Sequence, residues 1–131
     1  MKCKKGFSRL LVSNFEACFL FYREILGFDV VRGDEKSGDA DFKAGDMIFG
    51  LFQQDEMAEI VGSAEKPLNA ECQDKAVLVF EVEKLDEVYQ ELKHLGVTFA
   101  TEPMSKPYWG IKTAYFRDPD GNLLGIYEFI V

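Results

Sequence analysis

With one histidine, three cysteines and four prolines among 131 residues, the chain has little material for several common chemistries. The sole histidine, His94, leaves no evident Ser-His or Cys-His pair for nucleophilic catalysis. There is no GxSxG nucleophile turn and no GxxxxGK[ST] phosphate loop. Cys3, Cys18 and Cys72 form neither a CxxC pair nor a metal-ligand spacing, a pattern that fits a reducing compartment better than a disulfide framework. No apolar run approaches the roughly 18 residues of a membrane span. The basic opening MKCKKGF is not followed by a long apolar segment and a cleavage site, so no signal peptide and a cytoplasmic location are expected. Excess positive charge is also lacking. A formal net charge of −8 argues against nucleic acid and anionic membranes as partners. It mildly favours a neutral or cationic ligand, although an acidic surface also simply keeps a protein soluble.

Rings are abundant, with twelve Phe, five Tyr and one Trp, more than a small core needs, which raises the prospect of a ring-lined cavity. Two segments carry helical spacing. In SNFEACFLFYREILGF the apolar stripe is Phe15, Cys18, Phe19, Tyr22, Ile25 and Leu26; Ser13 with Glu16 has the form of a capping box and Gly27 of a stop. In EKLDEVYQELKHLGV the stripe is Leu85, Val88, Tyr89, Leu92 and Leu95, closed by Gly96. His94 suits the negative end of that helix better than a metal.

Strand patterns cover 7–12, 28–32, 41–44, 47–53, 76–82, 98–101, 112–117 and 122–129. The order is βαβββ twice, an α+β duplication. Module one spans about 1–53 and module two about 75–131, with a polar connection over 54–74 of the kind that serves as a lid, binding loop or linker. Leu26-Gly27 corresponds to Leu95-Gly96, and Gly50-Leu51-Phe52 to Gly125-Ile126-Tyr127.

Alternation sorts four strands into two faces. One holds Leu10, Val12, Phe49, Leu51, Leu78, Phe80, Val82, Leu124 and Ile126, all apolar, and forms the expected core under the helices. The other mixes apolar and aromatic residues with Arg9, Glu81 and Tyr127, and carries both in-strand glycines, Gly50 and Gly125. A sheet curled around a ligand cleft would account for it; so would packing of this face against another subunit or the other half of the chain, with the glycines allowing close approach.

The helix ending FYREILGF, the segment VFEVEKLDEVYQELKHLGV and the closing FRDPDGNLLGIYE together resemble the vicinal-oxygen-chelate superfamily, which includes glyoxalase I, extradiol dioxygenases, and fosfomycin- and bleomycin-resistance proteins. The resemblance covers nearly the whole chain. It implies two βαβββ modules forming a curled, eight-stranded mixed sheet around a cleft, within a single domain that is often completed in a homodimer. Metal-dependent members hold a divalent ion there on His and Glu. The positions corresponding to those ligands are Phe7, Gly50, Val77 and Gly125, none of which can ligate through its side chain, so neither a metal nor another cofactor is expected.

The resulting expectation is a metal-free protein of the bleomycin-resistance type that sequesters an aromatic or cationic small molecule. Its ligand-binding residues would be Phe7, Arg9, Gly50, Phe52, Val77, Glu81, Trp109, Gly125 and Tyr127. Trp109 enters through the stiff aromatic stretch EPMSKPYWGIK. An alternative is a glyoxalase-like lyase with an absent or unusual metal site, using Glu81, Tyr127 or Glu128 for acid–base work; a third is a regulatory or immunity-type partner protein. Asp118, Asp120 and Asn122 are read as turn residues rather than a calcium loop, and Cys18 as an inert core thiol.

Overall fold

The computed structural model describes residues 1–65, 73–74, 76–106 and 110–130. They divide into two compact units, Met1–Glu71 and Cys72–Val131, each built around one mixed four-stranded sheet. The first unit runs β1 (Ser8–Val12), α1 (Phe15–Leu20), β2 (Asp29–Arg32), β3 (Asp39–Ala44), β4 (Met47–Gln53) and α2 (Gln54–Val61). The second runs β5 (Leu78–Glu81), α3 (Leu85–His94), β6 (Met104–Lys106), β7 (Ile111–Arg117) and β8 (Leu123–Phe129). Strand orders are β1-β4-β3-β2 and β5-β8-β7-β6, with the first pair of each sheet parallel and the others antiparallel. The duplicated α+β plan read from the sequence is therefore the fold.

The first helix starts one residue later than the Ser13 capping pattern suggests. Asn14 is the N-cap, its side-chain oxygen accepting from Ala17 N at 3.2 Å. Asn is at least as good a cap as Ser, and both stand at the boundary, so the local sequence does not rank them. Beyond Leu20 the helix widens to π geometry over Phe21–Ile25, with Leu26 N bonded to Phe21 O at 3.0 Å, and ends at Gly27, where φ is +70°. The stripe of Phe15, Cys18, Phe19 and Tyr22 is buried, with Phe19 packed on Phe42 and Tyr22 on Phe42 and Phe49 of the sheet. Phe19–Phe42 and Tyr22–Phe49 ring centroids lie 5.1 and 5.2 Å apart. Each such ring taken out of water contributes on the order of 1.5–3 kcal/mol, which outweighs the modest helix propensity of Phe and Tyr.

In the second unit Leu85, Tyr89 and Leu92 of α3 are buried, as are Leu124 and Ile126 of β8 and Phe116 of β7. The helix has no cap from its own neighbours. Leu85 N instead donates to Glu128 Oε1 at 2.7 Å, a carboxylate brought from β8. Glu128 is thus a helix cap and not a free acid–base group. His94 is exposed in the last turn of α3 beside Lys93. Asp118 is buried and accepts from Asp120 N, Asn122 N and Asn122 Nδ2 at 2.8–2.9 Å, so the DPDGN segment is a self-satisfied turn.

The strand expected over 98–101 is not formed. It is reduced to a single bridge, Phe99 to Phe116, because Ala100 N and Thr101 N both turn onto Tyr115 O, while Tyr115 N donates to Thr101 Oγ1 at 3.1 Å. The module's second strand is β6, downstream of Pro103 and inside the stretch read as an aromatic loop. Residues 54–61, read as the start of a polar connection, form α2, which packs on β4 and β1 and ends at Gly62 with φ of +76°.

Candidate functional site

The face of each sheet turned away from its helix holds the residues singled out from the sequence. On the first sheet, register places Arg9, Gly50 and Asp41 in one row across β1, β4 and β3. Phe7, just before β1, and Phe52, two residues beyond Gly50, lie on either side of Arg9. The Arg9 guanidinium carbon is 5.2 Å from the centroid of each ring, within the range of a cation–π contact. Phe7 is 59% exposed and Arg9 is exposed.

Gly50 has a definite packing role. A Cβ built there would stand 3.1 Å from Asp41 Oδ1, 3.4 Å from Arg9 Nε and 3.5 Å from Arg9 Cγ. The bare backbone is what lets the arginine stem and the carboxylate approach from opposite sides. Asp41 Oδ2 accepts from Arg32 Nε at 3.0 Å, and Arg32 Nη2 donates to Asp39 Oδ1 at 2.7 Å. These two hydrogen bonds push the Arg32 guanidinium, in order Asp39 then Asp41, further above its ordinary pKa. Asp41 Oδ1 is buried with no hydrogen-bond partner among the described residues. Beside this row a cavity of about 750 Å³ opens, lined among others by Phe7, Val31, Asp41, Asp46, Met47 and Ile48.

The second sheet repeats the row with different chemistry: Val79, Gly125 and Tyr115, followed by Glu81, Tyr127 and Thr113. A Cβ at Gly125 would lie 2.7 Å from Cδ1 and Cε1 of Tyr115 and 3.0 Å from Val79 Cγ1. Real Cβ atoms do not stand so close, so the Tyr115 ring covers the glycine. Cross-strand aromatic cover of a glycine is a known way of keeping such a position in a sheet. At Gly125 the missing Cβ thus admits a ring, and at Gly50 it admits the Arg9 stem and the Asp41 carboxylate. Val77 precedes β5 and Glu81 closes it, both exposed; Tyr127 is half-buried, its ring edge-on to Phe129 at 5.6 Å. Trp109 lies outside the described residues. Phe7, Arg9, Gly50 and Phe52 are therefore brought together in the first unit, and Val77, Glu81, Gly125 and Tyr127 lie on one sheet face of the second.

Asp41 lies on β3 and Thr113 and Tyr115 on β7, so alternation along β1, β4, β5 and β8 does not reach them. A usable signal was present for the first of them. The two-residue turn Gly45-Asp46, with Gly45 at φ +61°, pairs Ala44 with Met47 and so fixes Asp41 opposite Gly50.

The glyoxalase/bleomycin resistance protein/dioxygenase superfamily model matches residues 7–126. The chain belongs to this superfamily. It is 37% identical over 122 residues to the uncharacterized protein YraH of Bacillus subtilis, covering 93% of this chain and 95% of that one. It is 25% identical over 125 residues to a bleomycin resistance protein of Geobacillus stearothermophilus, covering 92% and 93%. Among solved structures, a lactoylglutathione lyase from Agrobacterium tumefaciens superposes with a TM-score of 0.72 over 98% of this chain and 96% of that one, at 21% identity, a likeness of fold alone.

The divalent ion of metal-dependent superfamily members does not fit the residues present. Phe7 and Val77 offer hydrocarbon, and a glutamate at Gly125 would overlap the Tyr115 ring. Gly50 offers no donor atom, and Arg9 lies against it. Among the described residues no three His, Cys, Asp or Glu side chains gather into a metal-binding group. No helix among them is long and apolar enough to cross a membrane.

Proposed function

We propose that this superfamily member is a metal-free small-molecule binding protein of the bleomycin-resistance type, sequestering an aromatic or cationic compound on the face of the first sheet that carries Phe7, Arg9 and Phe52. The observation that carries the reading is the Tyr115 ring over Gly125, because it closes the place from which a metal-holding carboxylate would project. Ring-bearing surface remains, with Phe7 and Phe129 each 59% exposed. Phe7 stands beside Arg9 and Phe129 beside Tyr127, which supports a ligand-binding role for these exposed rings. The protein would be a single cytoplasmic domain, with module one at 1–53, a connection at 54–74 and module two at 75–131, acting as a homodimer. The likeness to bleomycin resistance proteins supports the class of function and leaves the compound to be found.

A thermal-shift screen of aromatic and cationic compounds tests the reading, followed by calorimetric titration of each hit. Saturation at about 100 times Kd should add roughly 2.7 kcal/mol of stability. Stoichiometric binding without consumption of the compound is expected, with at least a tenfold loss of affinity in Phe52→Ala while its circular dichroism is unchanged. Turnover of a hit, or of a methylglyoxal–thiol adduct, would contradict the reading.

A further inference from the structure

Resting on that reading, we infer that the first unit's sheet face is a seat for a planar organic cation, an amidinium or guanidinium, and that Arg9 occupies this seat until a ligand displaces it. Three observations meet at one place. The Arg9 guanidinium already lies 5.2 Å from the centroids of both Phe7 and Phe52, so the two rings hold a planar cation in the resting protein. Ring faces attract cations through their quadrupole, and the attraction strengthens as water is excluded. Next to it, Asp41 Oδ1 is buried and has no hydrogen-bond partner among the described residues, while the sister oxygen is fixed by Arg32. A carboxylate oxygen in that condition is a strong acceptor for a charged N–H. Finally, the bare backbone of Gly50 leaves a notch between this oxygen and the Arg9 stem.

The wall of the notch that can move is Arg9. Its side chain is exposed, and among the described residues it makes no ion pair. Turned away, it would free both rings and open the notch towards Asp41 beside the 750 Å³ cavity. The first unit, Met1–Glu71, carries nine basic and thirteen acidic side chains, and the second six and ten, so the net charge of −8 is shared equally between them. The preference for a cation comes from the local geometry.

The test compares benzamidine with its uncharged analogue benzamide, titrated into the unmodified protein, Arg9→Ala and Asp41→Asn. Saturable benzamidine binding is expected in the unmodified protein, at least tenfold tighter in Arg9→Ala and lost in Asp41→Asn, with benzamide bound by none of them. The inference is overturned if benzamidine binds neither the unmodified protein nor Arg9→Ala, if Arg9→Ala binds it no more tightly, if Asp41→Asn binds it as well, or if benzamide matches it. Should Asp41→Asn fail to fold by circular dichroism, the Arg9→Ala gain and the benzamidine–benzamide contrast decide the matter. An uncharged or anionic hit from the wider screen would overturn this inference and leave the binding function standing; turnover would overturn the function itself.

Discussion

Gly50 and Gly125 occupy the same place in the two copies of the module, yet what leans on each is different. At Gly50 the neighbours are an arginine stem that can move and a carboxylate. At Gly125 they are a tyrosine ring and a valine, both closer. Duplication kept the backbone position, and the cross-strand partners diverged into a polar notch in one copy and a sealed apolar patch in the other. The cores diverged in parallel. The first module packs helix on sheet with rings, Phe19, Tyr22, Phe42 and Phe49, whereas the second relies more on Leu85, Leu92, Leu124 and Ile126 around Phe116.

The largest expected effect tests the cores. Phe42→Ala, fully buried among three ring contacts, should cost about 3–5 kcal/mol in a urea titration. Leu124→Ala in the second module should cost less, about 2–3 kcal/mol, at the low end of the range for buried leucines. Equal costs would mean that the ring cluster adds nothing beyond area.

The glycines come next. Gly125→Ala should destabilise by about 1–3 kcal/mol, because the Tyr115 ring must shift, whereas Gly50→Ala should cost less since the Arg9 side chain can yield. Adding Tyr115→Ala should recover part of the Gly125→Ala loss, and additive costs in that double-mutant cycle would refute the contact.

The two helix starts give a smaller contrast. Asn14→Ala removes a cap supplied by the helix's own sequence, and Glu128→Ala removes one supplied from another strand; each should cost about 0.5–2 kcal/mol.

The smallest effect concerns Asp74, whose carboxylate is held below its ordinary pKa chiefly by hydrogen bonding to Arg117, with both guanidinium nitrogens engaged at 2.8–2.9 Å. A pKa lowered in the folded state stabilises above the unfolded value, and that stabilisation is lost as pH falls through the folded one. Both side chains are well exposed, so the acid-side loss should be slight. Asp74→Asn should make the acid limb of a stability–pH curve marginally shallower, and an unchanged limb would show that the pair does not matter.

Much of the architecture was legible because it rests on short-range periodicity. The stripe from Phe15 to Tyr22 and that from Leu85 to Leu92 are set by 3.6-residue spacing, and the core face by alternation along each strand. What was not legible depends on register between strands. Asp41 beside Gly50 follows from a hairpin turn that was available to read. Tyr115 over Gly125 depends on pairing across the longer DPDGN connection, where spacing alone leaves the register open. The missing strand at 98–101 has the same origin, since Thr98-Phe99-Ala100-Thr101 has strand-like residues but its amides are drawn onto one carbonyl of β7. Phe7, Arg9, Gly50 and Phe52 could be gathered from parity within β1 and β4, although the cation–π arrangement itself could not.

The measurement that bears most directly on the metal-free account is metal retention by the unmodified protein after loading with excess nickel, zinc, manganese and iron(II) and then desalting. The expected result is no retained metal, because Phe7, Gly50, Val77 and Gly125 supply no ligand. Near-stoichiometric metal that EDTA removes would contradict the account and return the protein to the metal-dependent enzymes of its superfamily.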